Sequence, residues 1–479
     1  MPTKVNRQKM LIGGKWVACD RNFEVYNPQD GEIIAYVPSA TKEDMIEAIG
    51  IADRTFRERF PLPVHERIEI LEKTADYMTE NSEDFAHIIA LEGSKTITEA
   101  RSEVKRAIQT IKISAEEARR LKGETINFDQ NAGSENKVGF YQRFPVGVIG
   151  AITPFNDPLN LVAHKIGPAI ASGNAIVLKP ASATPISALK LAEAFVEAGL
   201  PQGYLSVLTG SGKEIGDTLI THPSIKMVTF TGGAEAGERI TQRVGTKKVS
   251  MELGSNSPVI VLADADLPKA VHSCCSGAFS AAGQNCIGVQ RIYVEKSVYP
   301  QFLDALIEAT ALLRTGDKME QRTDMGPMIN EKEAERVAGW VEEAVIAGAK
   351  VEIGGIREGA FYYPTVMTNV PVTAKIAKEE IFGPIVIVQP VQDLDEAIER
   401  SNDVDYGLQA GIFTNDINKA FKAIGKMDVG GIMINDSSDY RIDEMPFGGT
   451  KGSGIGREGV RFSMESMTEQ KVVCFNLDS

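Results

Sequence analysis

The spacing of hydrophobic positions changes along the chain from a helical period to short apolar runs, and the change falls near Val146. Residues 41 to 120 have mainly the helical spacing. Thr41 can cap a helix that begins at Lys42. One apolar stripe on this helix consists of Met45, Ile46, Ile49 and Ala52. Glu99 to Leu121 is predicted to form a second long amphipathic helix.

After Val146, short apolar runs alternate with helical patterns, which indicates a parallel, doubly wound sheet. The predicted strands are Val146–Ile152, Ala175–Leu178, Leu205–Leu208, Met227–Phe230 and Val249–Leu253. The predicted helices between them are Asn160–Ala171, Pro185–Ala198, Gly212–Thr221 and Ala234–Val244. A second set of strands comprises Pro258–Leu262, Arg291–Val294, Ile385–Val388, Gly411–Phe413 and Gly431–Ile434. This second set predicts another α/β domain that begins near Gly254.

A further strand is predicted from Lys137 to Phe144, where apolar and polar residues alternate. An unpaired apolar edge strand is prone to associate with another chain, so we expect this strand to pair across subunits. The sequence therefore predicts a homodimer or a homotetramer.

Composition narrows the possible functions. A chain of 479 residues is too long for one hydrophobic core, which predicts two or three domains. A formal net charge of −14 argues against a general surface for nucleic acid or anionic membranes, although it allows a local basic pocket.

The chain has no long apolar span and no signal-type N-terminus, so we expect a cytoplasmic protein. Five cysteines fit a reduced compartment, and the Cys and His spacing predicts no metal site.

Three residues stand out as candidates for catalysis. Cys286 lies between glycines, and a thiol becomes a nucleophile where its pKa is lowered. Glu252 ends an apolar strand, where burial would raise its pKa toward the range of a general base. Asn156 follows a buried strand and could donate its amide to an oxyanion. Taken singly, each also fits a structural role: a small buried side chain, a solvated carboxylate and a turn cap.

Together with other motifs, these segments resemble the aldehyde dehydrogenase superfamily. The shared motifs are Pro154-Phe-Asn156, Leu178-Lys-Pro180, Phe230-Thr-Gly-Gly233, Glu252-Leu-Gly254, Gly283-Gln-Asn-Cys286, Glu380-Ile-Phe-Gly-Pro384 and Pro446-Phe-Gly-Gly449. They occur in the family's order between residues 10 and 475, and the separation of Glu252 from Cys286 also matches.

The resemblance implies an NAD(P)-dependent oxidation of an aldehyde to its acid. Cys286 is the implied nucleophile, which forms a thiohemiacetal and then a thioester. Asn156 and the backbone N–H of Cys286 are the implied donors to the oxyanion. Glu252 is the implied base for the water that hydrolyses the thioester.

The same resemblance implies a set of cofactor contacts. Lys179 is assigned to the adenosine ribose, Glu380 to the nicotinamide ribose and Phe382 to the nicotinamide ring. Gly232 and Gly233 precede a helix whose N-terminus would face the pyrophosphate. The other implied cofactor-binding residues are Thr153, Pro154, Ser182, Gly212 and Leu253. Gly210 to Gly216 is one residue too long for a dinucleotide fingerprint, and we interpret it as a strand-to-helix turn.

Residue 182 bears on the choice between NADP and NAD. Many NAD-preferring relatives have Glu three residues after the lysine that matches Lys179, and this sequence has Ser182 there. A carboxylate about 4 Å from a 2′-phosphate would cost on the order of 4 kcal/mol per unit charge at an effective dielectric near 20. We therefore expect NADP to be accepted, with NAD as the alternative cofactor. The alternative for Ser182 is a surface residue without a cofactor contact.

Within the family, the sequence most resembles the branch that includes lactaldehyde and phosphonoacetaldehyde dehydrogenases. In the phosphonoacetaldehyde enzymes, arginines that match Arg106 and Arg441 contact the anionic tail, although each could instead be structural. Asp157 and Asn285 stand where those enzymes have His and Arg, which lowers the expected affinity for a dianion. The expected substrate is therefore lactaldehyde, sulfolactaldehyde, glyceraldehyde 3-phosphate or a semialdehyde.

The resemblance also implies an α/β fold of three parts. A Rossmann-type NAD(P)-binding domain would combine residues 1–120 with 146–253, and an α/β catalytic domain would span 254–447. A small β oligomerisation element would use residues 121–145 and 465–479, including a C-terminal strand from Lys471 to Phe475. Cys274 and Cys275 are assigned to helix packing beneath the site.

Two other functions stay open from the sequence. A CoA-acylating dehydrogenase has the same fold, but such relatives typically lack the base that Glu252 supplies. A non-catalytic, crystallin-like protein would keep the fold without the activity. The presence of Cys286, Glu252 and Asn156 together argues against it.

Overall fold

The computed structural model describes residues 6–58 and 62–477, and two large sheets organise it. The first sheet has eight strands, of which the five central ones are parallel. In spatial order these strands are Gly454–Ile455, Lys248–Glu252, Ile225–Thr231, Val148–Ile152, Ala175–Lys179, Leu205–Val207, Met10–Ile12 and Lys15–Val17. The order in which the chain adds its parallel strands reverses between Val148–Ile152 and Ile225–Thr231. At such a switch point an open parallel sheet forms a ligand crevice.

The second sheet has seven strands and its own core. In spatial order they are Lys350–Ile353, Thr365–Thr368, Ile385–Val391, Arg291–Glu295, Pro258–Val261, Gln409–Phe413 and Gly431–Ile434. All neighbours are parallel except the first pair. Every strand that the sequence predicts for the two sheets is confirmed, with its ends displaced by a few residues at most.

Four smaller sheets complete the strand structure. One antiparallel sheet joins Thr468–Asn476, Lys137–Pro145 and Glu124–Ile126, which confirms the strand predicted from the alternation after Lys137. The expectation that this strand is an unpaired edge is wrong, because it lies in the middle of the sheet and pairs on both sides within the chain. Association into a homodimer or homotetramer stays a prediction. A second three-stranded sheet joins Asn6–Arg7, Ile33–Pro38 and Asn22–Tyr26. The two short pairs are Arg357–Glu358 with Phe361–Tyr362, and Tyr406–Gly407 with Thr450–Lys451.

Helices cover both large sheets. They are α1 (Lys42–Glu58), α2 (Val64–Glu80), α3 (Ser82–Glu92), α4 (Ile97–Arg120), α5 (Asn160–Ala171), α6 (Ile186–Glu197), α7 (Asp217–Thr221), α8 (Ala234–Thr241), α9 (Leu267–Phe279), α10 (Tyr299–Ala311), α11 (Glu331–Ile346), α12 (Lys375–Lys378), α13 (Leu394–Asn402), α14 (Ile417–Lys426) and α15 (Val460–Ser466). None of those in the described ranges is long and apolar enough to cross a lipid bilayer.

Two local predictions differ from the structure. The predicted cap of α1 is confirmed, since the hydroxyl of Thr41 accepts the Asp44 N–H at 3.1 Å. Ile46, however, is 42% exposed, because the buried face of α1 runs through Met45 and Ile49. The helix predicted from Gly212 to Thr221 is wrong in its first half, where Gly212–Gly216 forms a π-helical turn before α7.

Candidate active site

A cavity of about 660 Å³ opens at the carboxyl ends of the first sheet, at its topological switch point. Its described lining includes most of the residues that the sequence predicts for the site. These are Thr153, Pro154, Asn156, Gly232, Gly233, Glu252, Leu253, Cys286, Glu380, Phe382 and Arg441. The fold thus brings the candidate nucleophile, base and oxyanion donor to one cavity, from loops far apart in sequence.

A second cavity of about 520 Å³ shares the wall residue Phe230 with the first. It contains the predicted contacts Lys179 and Gly212. Its other charged lining residues are Lys213, Asp217, Arg239 and Arg243. Arg243 pairs with Asp217 at 2.7 Å. The other charged residues of the lining are Lys179, Lys213 and Arg239, so the net charge of this cavity is positive.

Cys286 lies in the loop between α9 and the strand Arg291–Glu295, and its side chain is partly buried. Burial raises the pKa of the Cys286 thiol, and the Arg441 guanidinium opposes this rise. Arg441 is therefore the cation that favours the thiolate in this cavity.

Glu252 ends its strand as predicted, at a position where only 3% of the residue is exposed. Neither of its carboxylate oxygens has a hydrogen-bond partner among the described residues. Burial, with the negative charge of Glu458, raises the pKa of Glu252 well above its usual range, while Arg441 and Lys165 oppose this rise. An unpartnered carboxyl with a raised pKa suits a general base that works on water.

A buried charge network lies beside Glu252, and one of its members, Glu458, also lines the cavity. Glu458 forms an ion pair with Lys165 and a longer one with Arg441, whose Nη2 is 3.4 Å from the carboxylate. Although burial acts to raise it, Lys165 and Arg441 hold the pKa of Glu458 at about 2. Arg441 also stacks on the ring of Phe447, with its guanidinium carbon 3.8 Å from the centroid. The Arg441 side chain is 7% exposed, and its Nε is buried without a partner.

Neither Lys165 nor Glu458 was predicted to be a site residue. A signal existed for Lys165, because it is a charged residue in a helix, α5, whose every residue is buried. A lysine in such a helix needs a buried counter-ion. No comparable local signal marks Glu458, which pairs across 293 positions of sequence.

Three predicted substrate residues are outside the described lining of the two cavities, and each has an internal partner. Arg106 donates to Asp443 at 2.9 Å, and His164 contacts the same carboxylate oxygen. Asn285 donates its amide to Asp439, and burial raises the pKa of Asp439 to about 8.

Asp157 is the third of these residues, and it pairs with Lys95. Lys95 also binds Glu103, with 2.8 Å between its Nζ and the carboxylate. Although burial acts to raise it, Lys95 and Arg106 hold the pKa of Asp157 below its usual range. The carboxylates of Asp157 and Glu103 therefore share one lysine, Lys95, which was not predicted as a site residue.

The residues around both cavities fit a nicotinamide dinucleotide. Thr153 Oγ1 is buried without a partner, and Gly233 is the N-cap of α8, so backbone donors are available beside it. Burial lowers the pKa of Lys179 to about 8. Burial raises the pKa of Glu380 to about 7, although its carboxylate accepts the Ser255 N–H at 2.9 Å.

Ser182 lies near the second cavity without lining it. Its hydroxyl donates to the carbonyl of Gly210 at 2.9 Å, and the residue is exposed. Cys274 and Cys275 both lie on α9 and pack in the core beneath the second sheet, so their predicted packing role fits their position.

Comparisons with known proteins agree with this geometry. Residues 16–473 match the model of the "Aldehyde dehydrogenase family". The chain is 49% identical over 475 residues to a 3-sulfolactaldehyde dehydrogenase of Priestia aryabhattai, covering 99% of each. It is 40% identical over 471 residues to a lactaldehyde dehydrogenase of Methanococcus aeolicus, covering 98% of this chain and 100% of the relative.

Among solved structures, the fold matches a glyceraldehyde-3-phosphate dehydrogenase from Methanocaldococcus jannaschii complexed with NADP. The TM-score is 0.93 at 40% identity, over 96% of this chain and 100% of the other. The predicted resemblance to the lactaldehyde dehydrogenase branch is confirmed. The chain belongs to the aldehyde dehydrogenase family and is an NAD(P)-dependent oxidoreductase of aldehydes.

Proposed function

We propose that this enzyme oxidises an anionic hydroxyaldehyde, with 3-sulfolactaldehyde as the first candidate, to its carboxylic acid with NADP. The observation that carries the proposal is Arg441, a buried cation that lines the cavity of Cys286. A buried cation beside a ligand cavity is suited to an anionic group on the ligand.

The charge of the surrounding groups supports one negative charge on the substrate. Lys165 and Arg441 supply two positive charges and Glu458 one negative charge. Glu252 adds none while it is protonated, the form that its raised pKa favours when the substrate binds, and it must lose this proton before it can act as a base. The buried groups at this end thus leave an excess of one positive charge, which fits a sulfonate or a carboxylate better than a dianion.

The relatives support the same class of substrate. The 49% identical relative is named for 3-sulfolactaldehyde, which has a sulfonate tail and a hydroxyl. Lactaldehyde has the same hydroxyaldehyde group without the charge, so it is the matched neutral substrate. Arg106 is proposed as a further contributor to the positive potential, acting from outside the cavity lining, where Asp443 and Asp157 offset part of its charge. Asn285, which donates to Asp439, is also outside the lining.

In the proposed first half-reaction, the Cys286 sulfur adds to the aldehyde carbon and forms a thiohemiacetal. The thiol gives up its proton to solvent in this step; burial raises the pKa of the thiol, and the positive charge of Arg441 opposes that rise. The amide of Asn156 and the backbone N–H of Cys286 stabilise the oxyanion that develops. The bound nicotinamide supplies the two-electron oxidation, and the product of this half-reaction is a thioester on Cys286.

In the second half-reaction, Glu252 accepts a proton from a water molecule that attacks the thioester. The tetrahedral intermediate expels the Cys286 thiolate and releases the carboxylic acid. Since both oxygens of Glu252 lack protein partners, they are available to bind that water.

The choice of NADP rests on the positive second cavity. Lys179, Lys213 and Arg239 line it, and a 2′-phosphate adds negative charge at the adenosine end of the cofactor. Ser182 adds no carboxylate there, so it leaves this potential unopposed. Glu380 and Phe382 are proposed to hold the nicotinamide end in the first cavity.

The test is formation of reduced cofactor with 3-sulfolactaldehyde, succinate semialdehyde, glyceraldehyde 3-phosphate and lactaldehyde, each with NADP and NAD. We expect the highest kcat/KM with a monoanionic aldehyde and NADP, and no activity from the Cys286→Ala control. Equal kcat/KM for lactaldehyde and sulfolactaldehyde would contradict the proposed substrate class. Turnover only with added CoA would instead support the acylating alternative and contradict the role given to Glu252.

A further inference from the structure

One face of helix α4 touches both loops that carry the proposed catalytic donors. Glu99 and Glu103 are one helical turn apart, so their side chains lie on the same face. Glu99 contacts the nucleophile loop, residues 280–288, which holds Cys286. Glu103 contacts the end of the oxyanion loop, residues 153–159, which holds Asn156.

We propose that Glu99 and Glu103 are positioning residues that fix the nucleophile loop against the oxyanion loop. The proposal rests on the proposed function, in which Cys286 and Asn156 act together on one oxyanion. The two loops extend from different hydrophobic cores, since α4 and Leu159 belong to the first and Ala282 to the second. Their spacing therefore needs a bridging element, and α4 is in contact with both.

The contact of Glu99 is a direct hydrogen bond to the backbone of the nucleophile loop. Its Oε1 accepts the Ala281 N–H at 2.7 Å. Its Oε2 accepts the Thr96 N–H at 2.8 Å, and Thr96 Oγ1 in return accepts the Glu99 N–H, which forms a capping box at the start of α4. The carboxylate is thereby fixed to its helix at one oxygen and holds the loop with the other.

The segment that Glu99 holds has an unfavourable backbone conformation. Ala281, Ala282 and Gly283 have φ values of 50°, 54° and 67°, so three consecutive residues are left-handed. Alanine is disfavoured there, and such a conformation persists only where its surroundings impose it. Gln284 supplies a second hold, because its side chain donates to the Ala281 carbonyl at 3.0 Å. This turn ends directly before the segment that contains Cys286.

Glu103 holds the other loop in a comparable way. Its Oε1 accepts the N–H groups of Leu159 and Asn160 at 2.8 and 3.0 Å, which are at the start of α5. A carboxylate is favourable at a helix N-terminus, where these donors have no partner within the helix. Its second oxygen binds Lys95. Asn156 lies only three residues before Leu159 in the chain. Fixing Leu159 therefore limits the positions that Asn156 can take.

The test compares Glu99→Ala and Glu103→Ala with a matched control on the same helix, Thr96→Val. The control weakens the capping box but leaves the bond between Glu99 and Ala281. For each variant we would measure the melting temperature, kcat and KM, and the rate of Cys286 alkylation by iodoacetamide, followed by peptide mass spectrometry.

We expect Glu99→Ala to lower kcat by roughly 10- to 100-fold with KM changed less than about threefold, because a small displacement of a reacting group has an effect of this order. Its Cys286 alkylation rate should change as well. Glu103→Ala should lower kcat without changing alkylation, since alkylation uses no oxyanion donor. Thr96→Val loses the bond from the Thr96 hydroxyl to Glu99 but keeps the one from its N–H, so it should lower the melting temperature and change kcat and alkylation far less than Glu99→Ala.

Two further variants keep the test valid if an alanine variant folds poorly. Glu99→Gln keeps an acceptor for Ala281 and should retain most of the activity. Ala281→Gly in the Glu99→Ala background removes part of the backbone strain and should restore part of kcat. Unchanged kcat and alkylation in a folded Glu99→Ala, or equal kinetics for Glu99→Ala and Thr96→Val, would overturn the proposal. Full activity of Cys286→Ala would instead overturn the proposed function.

Discussion

Replacement of Arg441 by Gln tests whether this residue recognises the charge of the substrate. The variant removes one positive charge from a side chain that is 7% exposed and 3.4 Å from Glu458. Two unit charges about 4 Å apart interact by roughly 4 kcal/mol at an effective dielectric near 20. Glu458 already offsets part of the Arg441 charge, so the net contribution to an anionic tail should be about 2 kcal/mol, the usual size for a charge-assisted hydrogen bond.

This free energy corresponds to a loss of roughly 30-fold in kcat/KM for sulfolactaldehyde. Arg441 also lowers the pKa values of Cys286 and Glu252, so its removal will slow every substrate to some degree. The assay therefore measures kcat/KM for sulfolactaldehyde and for lactaldehyde at the same pH. In the ratio of these two kcat/KM values, the effect of the substitution on Cys286 and Glu252 cancels. The ratio therefore measures how well the enzyme recognises the charged tail.

The expected result is a roughly 30-fold fall in that ratio for Arg441→Gln and a smaller fall for Arg441→Lys, which keeps the charge but loses the planar fork. Glu458 keeps its ion pair with Lys165 in both variants, so both should fold. An equal loss for the two substrates would refute the reasoning. It would mean that Arg441 acts only on Cys286 and Glu252 and does not recognise the charge of the substrate tail.

Three further predictions follow from the same site. Ser182→Glu should raise the KM for NADP by roughly tenfold or more through charge repulsion, with little change for NAD; an unchanged NADP value would contradict the proposed cofactor choice. Glu252→Gln should release one equivalent of reduced cofactor in a burst and then turn over slowly, because the thioester persists; linear kinetics at the wild-type rate would contradict its role as base. Since burial and Glu458 raise the pKa of Glu252 against the opposing Arg441 and Lys165, the wild-type rate of acid formation should rise as pH increases through that pKa and the carboxylate form appears. A pH profile of Glu252→Gln with the same rising limb would assign it to another group.

The candidate catalytic residues could be predicted because their motifs are local in sequence. Glu252 and Asn156 lie at or shortly after the ends of parallel strands of the first sheet, and parallel strands bring such ends to one edge. Cys286 reaches the same cavity from a glycine-containing loop next to the second sheet. The strands themselves were predictable for the same reason, since a short apolar run between turn residues carries its own signal.

The elements that were mispredicted depend on packing. Ile46 has the spacing of a core residue but lies beside the buried face of α1, and only the direction in which α1 meets the sheet decides this. The π-helical turn at Gly212–Gly216 lies at the edge of the second cavity, which Lys179 also lines. Neither outcome is encoded in the spacing of hydrophobic residues.

The proposed substrate residues show the same limit. Arg106 and Arg441 had equal standing in the sequence, yet Arg106 pairs with Asp443 outside the cavity lining and Arg441 lines the cavity. Asp157 suggested repulsion of an anion until the structure paired it with Lys95. Whether a charged residue attracts or repels a ligand can be judged only when its nearest counter-ion is known.

By itself, the amino-acid sequence determined the α/β architecture, the candidate nucleophile and base, and the class of reaction, because these depend on short-range patterns. The tertiary structure decided which charged side chains line the cavity, that Lys165 and Glu458 pair beside Glu252, and that Glu99 and Glu103 contact two loops from one helix. The physical reason is that hydrogen bonds and ion pairs of buried groups join residues far apart in the chain. Their strength depends on distance and burial, which exist only in the folded protein.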